Sequence, residues 1–371
     1  MKIIVTGASG FIGKNMTVHL DEREYEVLPV TRETSETALD SALKAADFIF
    51  HLAGINRPTD PKEFTTGNVG LTQRITDALT AQGKSTPIVF SSSIQAAQDN
   101  PYGRSKLEAE TVLRDYALRH NAPVWIYRLS NVFGKWCRPN YNSFVATFCN
   151  NIAQDKDIQV NDPNAKVRLV YIDDVCRSFL SCLDGAPPSP DLETGPQIDP
   201  IYETTVGEVA AQLKGFKDSR DTLITARVGT GLTRALYSTY LTYLTPEQFS
   251  YTVPVYGDER GVFSEMLKTE DSGQFSFFTA HPGITRGLHY HHTKTEKFLV
   301  LKGQALFRFK HIISGEKHEL STDGDKPQIV ETVPGWTHDI TNVGETEMIC
   351  MLWANEIFDR ENPDTKSMST H

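Results

Sequence analysis

Long apolar runs are missing from this 371-residue chain, and none approaches the ~18 residues that crossing a bilayer requires. Basic runs are missing too. With 37 Lys and Arg against 47 Asp and Glu, the formal charge is -10, a field that repels polyanions and excludes nucleic acid and anionic membrane as partners. Cysteine is scarce: Cys137, Cys149, Cys176, Cys182 and Cys350 are odd in number, scattered and without paired metal spacing. They read as reduced thiols of a cytoplasmic protein. The N-terminus enters a strand pattern with no basic region leading into a cleavable apolar segment, so the expectation is a protein that is not exported. What is present is ordinary core material, 39% hydrophobic with 23% charged. That usage excludes disordered and fibrous classes, and at roughly 150 residues per domain the length predicts two domains.

To about residue 185, short apolar runs (Lys2 to Val5, Val27 to Val30, Phe48 to Leu52, Ile88 to Phe90, Val124 to Arg128) alternate with amphipathic stretches of helical length. That rhythm predicts an α/β doubly wound, Rossmann-type parallel sheet. A Pro- and Gly-rich stretch between Asp184 and Thr205 reads as a surface loop, and helical periodicity resumes at Val206 to Lys214 and Leu232 to Leu244. After about Val253 the texture turns to short alternating strands, among them Val262 to Leu267, Gln274 to Thr279, Phe298 to Leu301, Ala305 to Phe309 and Met348 to Trp353. Many short strands with Gly and Asp turns predict an antiparallel barrel or sandwich. The expected division is 1–245 and 252–371.

Gly7, Gly10 and Gly13 recur at intervals of three, leaving a strand and opening a helix with Phe11 and Ile12. Glycines there allow a tight turn and close approach of a pyrophosphate to the helix N-terminus; a plain turn is the bland alternative. The next strand ends at Arg32 where an NAD site usually offers an acid. An arginine suggests a 2′-phosphate and hence NADPH, against the alternative of a solvated side chain. Tyr102 and Lys106, four apart, share one face of a helix. An ammonium beside a phenol makes the phenol a better acid toward a carbonyl that receives hydride.

These pieces, with Ser91-Ser92-Ser93, His51-Leu52-Ala53-Gly54, Asn68, Arg128 through Asn131-Val132-Phe133-Gly134 and Val170 to Asp174, resemble the extended short-chain dehydrogenase/reductase family over about residues 1–243. The resemblance implies Tyr102 as acid, Lys106 as its tuner and a ribose contact, and a serine, Ser93 or its neighbour Ser92, on the substrate oxygen. It implies Gly7, Gly10, Phe11, Ile12, Gly13, Arg32, Leu52, Ala53 and Gly54 around the cofactor, and Asn131 and Arg168 near substrate. Arg168 reads equally well as a surface ion pair. Only nine positions separate Ser93 from Tyr102, shorter than the family's usual loop, which suggests an open substrate cleft. The acidic pair that dehydrating members carry after the serine is replaced by Ile94-Gln95, favouring net reduction or oxidation at a sugar carbonyl.

The most specific spacing lies downstream: Gly283, then His289-Tyr290-His291, Glu296 and Gly303, followed by Pro334-Gly335-Trp336-Thr337-His338 and Asn342. In an extended strand His289 and His291 point to one face, and Glu296 and His338 can complete a site for a first-row divalent metal such as Zn. Ordinary surface histidines are the alternative. The spacing resembles both metal motifs of the cupin superfamily over about residues 253–371, and Asp258 to Glu265 resembles the opening strand of nucleotide-sugar epimerase cupins. In the second motif Pro334 abuts Gly335, where the family's proline usually stands two positions before the glycine.

Reductase followed by metal cupin resembles bifunctional nucleotide-sugar enzymes. The resemblance implies one zinc ion per cupin, a homodimer and a UDP-sugar substrate: a UDP-4-keto-6-deoxy-N-acetylhexosamine epimerised at C3 by the cupin and reduced at C4 with NADPH. His292, Lys294 and Lys297 are candidate bases, each also readable as structural. The competing reading makes the cupin a binding or oligomerisation module beside a lone reductase.

Overall fold

The computed structural model describes residues 1–60, 62–185, 195–253, 255–258, 261–264, 267–269, 273–356 and 361–370. Part of the expected loop after Asp184, and part of the Asp258 to Glu265 run, lie outside them. The chain forms two compact units, Met1–Ser143 with Val167–Glu203, and Phe144–Lys166 with Thr204–His371. Residues 245–252 mark where helix gives way to strand, whereas by packing the helices Val206–Thr222 and Gly231–Leu241 belong with the strands that follow.

In the first unit, β1 (Lys2–Thr6), β2 (Glu26–Val30), β3 (Phe48–His51), β4 (Ile88–Ser93) and β5 (Val124–Leu129) form one sheet in the order β2-β1-β3-β4-β5. Every pairing is parallel. Strands covered on both faces need apolar residues throughout, and Ile3, Ile4, Val5, Ile49, Phe50, Ile88 and Val89 are fully buried. The long helix Pro101–His120 starts from Asn100, whose side chain accepts the Gly103 amide at 2.8 Å, with Pro101 in its first turn.

The second unit holds two five-stranded sheets. One runs Ser250–Thr252, Gln328–Glu331, Glu296–Lys302, Met348–Ala354, Gln274–Ala280; the other runs Lys317–Asp323, Gln304–His311, Trp336–Asn342, Thr285–Tyr290, Lys366–Ser367. Their pairings are antiparallel. Phe298, Phe307 and Phe309 fill the interior, as expected of the all-β cupin jelly roll. Beneath it, Arg220 of the helix Val206–Thr222 reaches Glu331 at 3.4 Å.

Candidate active sites

In the first unit strand order reverses between β1 and β3, and open α/β sheets bind ligands beyond the strand ends at such a point. Gly7 leaves β1 with φ +66, and a Cβ there would stand 2.8 Å from the Ala53 Cα. A Cβ on Gly13 would meet the Gly7 carbonyl oxygen at 2.1 Å. Only glycine permits both approaches. The Gly10 amide donates to the Gly7 carbonyl at 2.8 Å, and no side chain caps the helix Phe11–Asp21. Thr6 Oγ1 accepts the amides of Leu52 and Ala53, both at 3.0 Å, tying Leu52 to Gly54 against the glycine turn. His51 bridges Thr6 and Thr72; burial first, then Lys106, drives it down to about 3. It is a neutral structural ring. Arg32 is exposed just past β2, and among the described residues no carboxylate pairs with it.

Lys106 is buried, donates to the Ser91 carbonyl at 2.9 Å and lies 4.8 Å from the Phe90 ring centroid. A Cβ on Gly54 would stand 3.1 Å from its Nζ, so the ammonium adjoins the glycine crevice. Burial brings it down to about 8, against the pull of Glu110. Burial also raises the Tyr102 phenol, and the Ser93 hydroxyl bonded to it works in the opposite direction. Ser92, the adjacent candidate, is turned away: its hydroxyl donates to Glu110 Oε1 at 2.6 Å. Alternate residues of a strand face opposite sides, so only one of the two serines can meet Tyr102. Burial alone would raise the Glu110 carboxyl, but bonds from Arg128 and Ser92 hold it below its usual range.

Two supporting residues carried weak signals. Asn68 accepts the Ile55 amide at 2.7 Å and donates to the Ile55 carbonyl and to Ser105 Oγ, both at 3.0 Å, joining the loop after Gly54 to the Tyr102 helix. Gly103 lies under the short Ser93–Tyr102 connection, where a Cβ would meet the carbonyl oxygens of Gln95 at 2.1 Å and Gln98 at 2.6 Å. We therefore expect Gly103→Ala to cost about 1–3 kcal/mol by overpacking and to lower turnover by moving Ser93 from Tyr102. Urea denaturation alongside steady-state kinetics checks both. Asn131 donates to the Arg168 carbonyl at 3.4 Å, and the Arg168 guanidinium forms an exposed ion pair with Glu203 at 3.6 Å.

In the second unit His289, His291, Glu296 and His338 place one donor atom each within 4.8 Å of the others. Strict alternation is not how this happens. The strand ends at Tyr290, with a register shift between Gly287 and His289 and Leu288 at φ +61, and His291 follows the strand. His289 pairs across the sheet with His338. Glu296 Oε2 is 3.2 Å from His291 Nε2 and 3.4 Å from His338 Nε2, while Lys294 holds Oε1 at 2.7 Å. Burial, then His338 and His291, brings His289 down to about 3; burial lowers His338 against Glu296. Burial would raise the Glu296 carboxyl, but His291 and His338 hold it well below the ordinary range. Three imidazoles, those of His291 and His338 buried, around an ionised carboxylate are a donor set that fits a divalent first-row cation. A cavity of about 270 Å³, lined by His289, Glu296, His338, Phe278, Phe298 and Arg286, opens beside the cluster.

The loop between His291 and Glu296 is held by residues no motif indicated. Asp364 accepts the amides of His292, Thr293 and Lys294 at 2.9, 2.6 and 2.8 Å, and its carbonyl accepts from His291 Nδ1. Such a bond fixes the tautomer that presents Nε2 to the cluster. Ser238 of the helix Gly231–Leu241 donates to the Thr293 carbonyl at 2.8 Å, and Arg234 bonds Thr293 Oγ1. Gly335, at φ +81, donates to the His291 carbonyl at 3.0 Å, so the turn forms although its proline is displaced by one position. Lys297 is locked instead in a buried pair with Glu331 at 2.5 Å and donates to Tyr251 at 2.8 Å, on the strand face opposite Glu296. It is removed from the candidate bases.

A dinucleotide crevice with a Tyr-Lys pair, joined to a barrel with a three-histidine, one-glutamate cluster, defines a nucleotide-sugar reductase/epimerase-family enzyme. Residues 3–191 match the NAD dependent epimerase/dehydratase family and residues 256–366 the polysaccharide biosynthesis C-terminal domain, and the chain belongs to that family, whose cofactor is a nicotinamide. More particularly, it is 57% identical over 370 residues to the UDP-2-acetamido-2,6-beta-L-arabino-hexul-4-ose reductase of Pseudomonas aeruginosa, covering 100% of this chain and 99% of that one. The capsular polysaccharide assembling protein CapF of Staphylococcus aureus superposes with a TM-score of 0.69 at 44% identity, over 100% of both chains. A UDP-glucuronic acid 4-epimerase from Bacillus cereus shares the fold at 21% identity and a TM-score of 0.51, over 58% of this chain and 84% of its own.

Proposed function

We propose that this chain converts a UDP-4-keto-6-deoxy-N-acetylhexosamine to UDP-N-acetyl-6-deoxy-L-talosamine for capsular polysaccharide synthesis, epimerising C3 in the barrel unit and reducing C4 with NADPH in the first unit. The reading rests on the end-to-end match to a UDP-hexulose reductase by a chain that carries both side-chain clusters.

When bound, the nicotinamide supplies hydride and a zinc ion supplies positive charge for a sugar oxygen. In the first unit, Ser93 orients the C4 carbonyl and Tyr102 hands its phenolic proton to the oxygen that becomes a hydroxyl. Lys106 stabilises the resulting phenolate and contacts the cofactor ribose. Gly7, Gly10, Phe11, Ile12, Gly13 and Leu52 to Gly54 border the cofactor, and Asn131 borders the substrate; Arg168 joins it only by leaving Glu203. In the second unit His289, His291, Glu296 and His338 hold the ion, and the adjoining cavity admits the sugar. The C3 hydrogen is acidic because C4 is a ketone, so reduction removes the acidity and retains the new configuration. The five buried thiols, without a disulfide, accord with a reducing cytoplasm, and the homodimer implied by resemblance completes the reading.

Deuterium uptake at C3 of that sugar, followed with and without NADPH, tests the two-step scheme. Exchange without cofactor is expected. A silent barrel alongside intact NADPH oxidation would leave the reductase alone, with the barrel as a binding module. At Arg32, loss of a charge-assisted bond to a 2′-phosphate is worth about 1.5–3 kcal/mol. Arg32→Ala should therefore lower the preference for NADPH over NADH at least tenfold, read from the two KM values.

A further inference from the structure

We propose that Lys294 is a positioning residue that withholds one oxygen of Glu296 from the ion, so that the metal cluster keeps a coordination position open to ligands entering the cavity; the proposal rests on the reading of His289, His291, Glu296 and His338 as metal donors. The carboxylate is divided between two tasks. Its Oε2 lies 3.2 Å from His291 Nε2 and 3.4 Å from His338 Nε2, whereas Oε1 accepts the Lys294 ammonium at 2.7 Å. Glu296 therefore turns one oxygen, not two, to the imidazoles. The arrangement is fixed from the backbone outward, and both residues are buried. The Lys294 amide donates to Asp364 Oδ2 at 2.8 Å, the Thr295 amide to Asn355 Oδ1 at 2.9 Å and the Glu296 amide to Thr332 Oγ1 at 2.9 Å. Ammonium and carboxylate thus start from anchored positions and meet in one geometry.

An ammonium in this place is unfavourable for a site that serves only to hold a cation. It competes for the carboxylate, and its charge repels a divalent ion at short range in a buried site. What it provides is a restraint: a carboxylate free at both oxygens can chelate, and a fifth protein donor takes the room that three imidazoles and one oxygen leave. Zinc sites that act on a substrate keep such a position, whereas structural sites fill it, and the outer partners of a ligand set its orientation. The cavity of about 270 Å³ is lined by His289, Glu296 and His338, so a ligand that enters it meets the donors.

Lys294→Met, of similar length, and Lys294→Leu remove the ammonium and leave the amide that Asp364 accepts. The full chain loaded with cobalt(II) reports the ion and its open position through visible absorption. Chelator competition should show cobalt held about tenfold more tightly in both variants, since a nearby positive charge is gone. Imidazole, a neutral ligand insensitive to that charge, should bind the cobalt of the unsubstituted protein. In both variants it should bind about 10–100-fold more weakly, the range that outer partners of a ligand command, and C3 exchange should fall with it. Lys294→Arg should behave as the unsubstituted protein does. Unchanged imidazole binding in the Met and Leu variants overturns the proposal, and exchange lost all the same would make Lys294 the proton-transfer base. Weaker cobalt binding overturns it as well, assigning Lys294 to the order of the loop. An unsubstituted protein that binds cobalt but not imidazole has no open position, which overturns the proposal and leaves the metal site standing; one that binds no cobalt removes the metal reading along with it.

Discussion

Tyr102→Phe is expected to lower NADPH-dependent reduction by at least a hundredfold while C3 deuterium exchange continues. General acid catalysis by a positioned side chain contributes about 10²–10⁴-fold, and no other phenol bonds Ser93 among the described contacts. The substitution deletes one oxygen from a ring packed against Phe64, so the fold and the NADPH affinity should persist. Stopped-flow NADPH oxidation and proton NMR of the same sample check the two halves together. Loss of both activities would mean that the barrel cannot act without the reductase site, and the scheme of two separable chemistries would fall. Ser93→Ala should follow Tyr102→Phe in direction with a smaller loss. Ser92→Ala should act on stability, because it strips a bond from the buried Glu110 carboxylate.

His338→Ala should release the metal from the purified protein and abolish C3 exchange, while reduction of an already epimerised substrate continues. His338 is buried and lies 3.4 Å from Glu296 Oε2, so its removal leaves two imidazoles and a carboxylate around a widened cavity. Asp364→Ala should be milder, weakening metal affinity about 10–100-fold as supporting-residue changes typically do, because the ligands remain but the amides of His292, Thr293 and Lys294 lose their acceptor. Elemental analysis after dialysis against a graded series of chelator concentrations ranks the variants. Retention of one metal per chain by His338→Ala would contradict the ligand set. Equal losses for the two substitutions would mean that loop order, not ligand count, governs binding.

Much of this was legible along the chain because it is local. The glycine turn and the placing of Tyr102 and Lys106 on one helix are readable since backbone geometry converts spacing directly into a tight approach or a shared face, whereas the two histidine segments meet through a register shift between Gly287 and His289 and not through strand alternation. Element type was readable for the same reason: the helix over Leu232 to Leu244 spans Gly231–Leu241, and the strand over Met348 to Trp353 spans Met348–Ala354. Ser92 against Ser93 was not readable, because alternation gives two faces without saying which one a distant helix covers. Lys297, adjacent to a metal ligand in sequence, faces the other way toward Glu331, and Arg168 is held by Glu203, a residue no motif connects with it.

The amino-acid order alone determined the two architectures and the types of chemistry they carry, since strand and helix periods, glycine conformational freedom and the donor set of a metal motif act over a few residues. Tertiary structure alone decided which serine meets the phenol and that Asp364 and Ser238 hold the loop between His291 and Glu296. Those contacts join residues tens of positions apart, and only the packing of separate elements determines which of many chemically equivalent side chains become neighbours.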